Sequence, residues 1–325
     1  MDLTKAPAWA VPIAVLVTVA VIFGYATVRE ERMQNLYSNK HLLKVGEELP
    51  PLWLYYNTSD VNSRFWSDFG GRSTRALNMP FLNLCYDTIA KHNGEMYRIE
   101  VIGGLSDLAL RLGGWNALPA PLQNPLASVN EAELNWIRAT VLAKYGGLWV
   151  QPATVCMKPF GLLPDNKTVF FGTNPTDNVS GPLGTAVPSL RAIWSPSPGH
   201  PVFTAWAQRA FIRLDSTNGG HQIRDDQKSD FVELAGGRPD VVIRPWEELS
   251  RKGTSAKPIQ LEDLLAAGQE GVIPFEVPCD AVYCPFPWKD LCDRRMFGWF
   301  LRMDEDQILA ADLAVSQLLR ISLGI

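Results

Sequence analysis

Residues able to do chemistry are sparse and scattered in this chain. The most suggestive pair is Asp225-Asp226 in GGHQIRDDQKSD, two adjacent carboxylates behind Gly219-Gly220 and His221. Such a pair can share a proton or hold a divalent cation, and it is equally the pattern of a hydrated acidic loop. Arg138, Lys144 and Lys158 are cations that suit an anionic ligand, but also a solvated helix end or loop. Trp53, Tyr55 and Tyr56 crowd one short run and offer ring faces for stacking, while strand alternation favours core positions for at least two of them. The four histidines are well separated, so no zinc centre or nucleophilic triad is spelled out, and His200, between Gly199 and Pro201, reads as a turn residue. Cys85 and Cys156 lie in apolar surroundings and read as buried thiols. The cluster CDAVYCPFPWKDLC (Cys279, Cys284, Cys292) is compatible with one disulfide or with free thiols, and lacks the spacing of a zinc knuckle.

The elements that must position these groups alternate. Leu52 to Tyr56 is a strand-like run, Phe81 to His92 a helix stopped by Asn93-Gly94, Tyr97 to Ile102 a strand, and Asp107 to Leu112 a short helix. That rhythm belongs to a parallel sheet with helices on its faces. After a proline-rich connection, Glu131 to Tyr145 is the strongest internal helix, with Leu134, Ile137, Val141 and Leu142 as its buried stripe. Gly146-Gly147 ends it, and Leu148 to Val150 enters a buried strand. Further on, the pattern predicts strands at 169–171, 189–194 and within 270–277, and helices at 202–214, 261–267 and 304–321.

At Asn135-Trp-Ile-Arg138, Lys144-Tyr-Gly-Gly147 and Lys158-Pro159 the sequence resembles the capsular-polysaccharide-synthesis and DXD-type sugar-binding glycosyltransferases, over residues 50–165. The resemblance implies an α/β, GT-A-like (Rossmann-like) mixed sheet flanked by helices, with a nucleotide-sugar bound above the carboxyl ends of the strands. It also implies a divalent metal held by an Asp-x-Asp motif just after the Tyr-Gly-Gly strand. Here the equivalent positions are Gln151, Pro152 and Ala153, one neutral amide and two residues with no side-chain donor, and no metal ligand is assigned. The family's acidic residue three before the arginine is Asn135. On this likeness Tyr56, Asp107, Asn135, Arg138 and Gln151 are the candidate donor-contacting residues, with helix capping as the other role open to Asp107. Asp225 and Asp226 are the candidate replacement catalytic carboxylates. Two functional readings follow: sugar transfer from a nucleotide-sugar to a glycan or other acceptor at a non-standard or metal-independent site, or an inactive glycosyltransferase fold with a binding or assembly role at a membrane.

The membrane enters through the N-terminus. From Ala6 to Val28 no residue is charged, and a helix rising about 1.5 Å per residue over that span crosses a hydrocarbon layer of about 30 Å. A cleaved signal peptide and a buried helix are the competing readings; the span's length, and the absence of a clear Ala-x-Ala site, favour a single-pass anchor. The expected organisation is an anchor at 1–28, a polar tether at 29–49 and one α/β domain at 50–325, localised at a membrane with its side unspecified. The formal net charge of −4, with no Lys/Arg block, argues against a nucleic-acid partner. At 46 % apolar and 20 % charged, the composition is that of an ordered globular body.

Overall fold

The computed structural model describes residues 49–57, 79–124, 129–173, 188–216, 238–252, 257–267 and 273–325. In chain order these form β1 (Pro51–Tyr55), α1 (Met79–Asn93), β2 (Arg98–Ile102), α2 (Leu105–Leu112), α3 (Glu131–Tyr145), β3 (Gly147–Val150), β4 (Thr154–Cys156), β5 (Thr168–Phe171) and β6 (Ala192–Ser195). Then follow α4 (Pro201–Ser216), β7 (Val241–Arg244), α5 (Leu261–Leu264), β8 (Tyr283–Pro285), α6 (Trp288–Asp293), α7 (Glu305–Ala310) and α8 (Ala314–Leu323).

Six strands make one mixed sheet in the order β2-β1-β3-β6-β5-β7, and β4 and β8 pair as a separate ribbon. Strands β2, β1 and β3 are mutually parallel, β5 and β7 are parallel, and β6 runs antiparallel between β3 and β5. Strand alternation divides the apolar residues between two cores. Leu52, Leu54, Leu148, Val150, Val169, Phe171, Ala192 and Trp194 face α1, the ribbon and the C-terminal helices. Trp53, Tyr55, Trp149, Phe170 and Ile193 face α2, α3 and α4 on the other side. The result is three layers, helices over sheet over helices.

Local signals set the boundaries. Asn130 and Glu133 close a capping box at the start of α3, each side chain taking the other's backbone N–H. At its far end Gly146 and Gly147 both adopt positive φ, and a Cβ on Gly147 would lie 2.3 Å from the Pro51 carbonyl oxygen. The second glycine therefore permits β3 to enter the sheet directly against β1. Helix α3 is also buried more widely than an amphipathic stripe allows. Asn135, Trp136, Arg138 and Ala139 are covered along with Ile137, Val141 and Leu142, because α4 packs along it.

Several expectations are corrected. No helix among the described residues is long and apolar enough to cross a membrane. The segment 6–28 that carried the single-pass expectation, and all of the tether but its last residue, lie outside the described residues. The fold is thus stated without a transmembrane helix, and the membrane localisation is withdrawn with it. The helix expected over 304–321 is two helices. Leu313 is extended and bridges Ala267, and Arg320 donates to the Leu309 and Ala311 carbonyls at the break. No strand forms at 273–277, and the Cys284 region supplies the ribbon strand β8 instead. All five cysteines are free thiols.

Candidate functional site

Strand β1 has parallel neighbours on both sides, β2 reached through α1 and β3 reached by crossing back. The carboxyl ends of β1 and β3 therefore part at a topological switch point, where an open α/β sheet leaves a crevice. A pocket lies there, with about 630 Å³ of space counting its open mouth, lined by Tyr55, Tyr56, Asn57, Leu134, Arg138, Trp149, Gln151, Pro152, Ala153 and Trp288 among others. Sheet ends supply its floor, α3 supplies Leu134 and Arg138 one turn apart, and α6 supplies Trp288 from the opposite layer.

Arg138 is the charged group in this wall. Its side chain is only 5 % exposed, and its Nη2 donates to Glu131 Oε1 at 2.9 Å. Glu131 sits two turns back in the first turn of α3 and is about half exposed, so its carboxylate remains solvated. The Arg138 Nε is buried with no acceptor among the described residues. A buried guanidinium with one incompletely used donor set is costly unless something satisfies it.

At the turn after β3, Gln151 donates its backbone N–H to the Arg191 carbonyl at 2.8 Å and is half-buried. Ala153 is 3 % exposed, packs in the larger core and gives its carbonyl to the Phe286 N–H. A neutral amide, a proline and a buried methyl offer no carboxylate donor set, so residues 151–153 do not fit the divalent cation that the resemblance implied. Among the described residues no group of three His, Cys, Asp or Glu side chains stands close enough to hold a metal.

Arg191, whose carbonyl takes the Gln151 N–H, adjoins the site. It precedes β6 and pairs with Glu248, whose side chain has no exposure. Burial pulls the Arg191 guanidinium downward, but Glu248 first, and then Tyr283 and Glu131, outweigh it and hold the pKa above the usual arginine value.

Of the sequence candidates, Tyr56, Arg138 and Gln151 meet in the pocket. Asn135 is buried on α3 and is not among the pocket-lining residues. Asp107 lies in the first turn of α2, accepts from the Gly103 N–H at 3.1 Å and pairs with Arg111. Lys144 donates to the Arg111 carbonyl beside the amino end of β3, and Lys158 reaches the Cys279 carbonyl, so neither faces the pocket. His200 lies near Thr168, at the amino edge of β5. Asp225 and Asp226 lie outside the described residues. Arg191, Glu248 and Trp288 were not foreseen. No sequence signal marked them, since each stands in a loop or helix start of ordinary composition.

Comparison with family models, curated proteins and solved structures returns no significant match. Neither comparisons nor structure supports a membrane-anchored glycosyltransferase or its inactive counterpart at a membrane, and that functional expectation is withdrawn. So are the membrane, nucleotide-sugar and glycan acceptor as expected partners.

Proposed function

We propose that this α/β domain binds a small molecule that carries an oxyanion group and a flat or apolar portion, at the carboxyl ends of β1 and β3. One observation carries the reading: the switch-point pocket has a nearly buried arginine, Arg138, in its wall. The oxyanion pairs with Arg138, the Gln151 amide gives or accepts a hydrogen bond, and the rings of Tyr55, Tyr56, Trp149 and Trp288 cover the remainder. As part of the same proposal the scaffold is of the glycosyltransferase-A-like kind. Support for that comes from the Tyr-Gly-Gly turn feeding a central parallel strand and from a pocket at the strands' carboxyl ends. Sugar transfer is not part of it.

The test is a titration of the full-length protein with inorganic pyrophosphate, with and without EDTA, followed by tryptophan fluorescence, because Trp149 and Trp288 line the pocket. Saturable quenching indifferent to EDTA is expected. Arg138→Gln should weaken it about tenfold or more, the worth of a hydrogen bond to a charged group. Binding that survives Arg138→Gln unchanged, in a variant whose circular dichroism is native, overturns the reading.

A further inference from the structure

Glu131 occupies a peculiar place in this arrangement. It is half exposed, yet it supplies the carboxylate that the nearly buried Arg138 faces. Arg191, whose carbonyl takes the Gln151 N–H, has a partner of its own in the fully buried Glu248. Glu131 has no comparable anchor: it belongs to the first turn of α3, and the capping box there is completed by Asn130 and Glu133 rather than by Glu131. Its carboxylate is therefore able to leave for solvent without unmaking the helix start. A carboxylate paired with an arginine beside a pocket has the charge and shape of the oxyanion that the pocket would receive.

We infer that Glu131 is a built-in anion mimic, which occupies Arg138 when the pocket is empty and is displaced by the incoming ligand. The inference rests on the binding reading above, and adds to it an autoinhibitory contact. Ligands with two negative charges are favoured, because a single charge merely exchanges for that of Glu131. The mimic keeps the buried Arg138 charge paired while the pocket is empty, and it sets a threshold that weak anions such as chloride do not pass.

The experiment is the same pyrophosphate titration of the full-length protein, run on the unmodified chain, Glu131→Gln, Arg138→Gln and Glu262→Gln. Glu131→Gln keeps the length and a hydrogen-bond acceptor for Arg138 while deleting the competing charge. It is expected to tighten pyrophosphate binding about two- to fivefold, the equivalent of a partly exposed ion pair. Glu262→Gln removes a carboxylate that pairs with Arg294 away from the pocket, and should leave affinity unchanged, so that net charge is controlled. Weakening by Arg138→Gln with no tightening by Glu131→Gln overturns the mimic while the binding reading stands. Equal tightening by Glu131→Gln and Glu262→Gln also overturns it, as a general charge effect. Absence of binding in all four proteins overturns both.

Discussion

Gly172→Ala tests the buried charge at the heart of the carboxyl edge. Gly172 has φ +97°, and an added Cβ would stand 1.9 Å from Glu248 Oε2, 2.6 Å from its Cβ and 2.8 Å from its Cδ. The approach is not to a flexible tip alone. Glu248 has no exposed side-chain surface, its backbone bridges Tyr283, and its carboxylate pairs with Arg191. The Gly172 backbone is equally fixed, donating to the Arg244 carbonyl and accepting from the Ser189 N–H. The left-handed backbone costs an alanine about 1–2 kcal/mol. Forcing out a buried, paired carboxylate costs about 3–5 kcal/mol more. Gly199→Ala is the control, since its φ of +73° carries the backbone cost but its Cβ meets nothing within 4 Å. At about 2–4 °C per kcal/mol, the control should lose about 2–8 °C in Tm and Gly172→Ala about 8–28 °C. Thermal melts followed by near- and far-ultraviolet circular dichroism give both numbers. A Gly172→Ala protein that melts together with Gly199→Ala would refute the packing of Glu248 over Gly172, and with it the fixed position of Arg191.

Two further outcomes follow from buried titratable groups. Burial, and then Arg238, lower the His200 pKa below the ordinary 6.5, although nearby Asp240 opposes the shift. A histidine whose folded pKa is depressed takes up a proton more readily when unfolded. Its contribution to stability is therefore intact above 6.5 and is lost as pH falls below that value. His200→Gln should flatten the fall in urea stability between about pH 6.5 and 5, and an unaltered slope would assign that fall to other groups, His92 first. Among the thiols, burial pushes Cys156 and Cys284 up to about 12 and raises Cys85 further still, whereas Cys279 is exposed. A disulfide-exchange reagent should modify Cys279 in the native protein and reach these three only on unfolding; native modification of Cys284 would contradict its placement in the ribbon.

Much of the layer structure was legible because it is written in short-range terms. The alternation Leu52-Trp53-Leu54-Tyr55 does send its residues to two different cores, and the helix Glu131–Tyr145 does end at the Gly146-Gly147 pair. The break at 311–313 was not, for no proline or glycine stands there. What interrupts the helix is a tertiary bridge from Leu313 to Ala267, and sequence spacing carries no trace of such a contact. The same holds for the ribbon, whose two strands are joined only in space and lie well apart in the chain.

The site divides along the same line. Its location follows from topology: once β1 has parallel partners on both sides, a crevice opens at the carboxyl ends whatever residues stand there. Tyr56, Arg138 and Gln151, named from the family resemblance, border that crevice. Its chemistry depends on which side chains are buried together, and there a residue-by-residue comparison misleads. Position 153 is not a metal ligand that has lost its charge, because its methyl group is packed into the core and its carbonyl is committed to Phe286. A carboxylate at that position would be desolvated, with no cation to repay it. Charge in this crevice comes instead from α3, as the arginine Arg138 rather than an aspartate. An edge built that way attracts an anion directly, with no bridging metal, and its electrostatic problem is the reverse of that of an acidic motif. It must keep a buried cation paired until the ligand arrives, and the half-exposed carboxylate of Glu131 does that for Arg138.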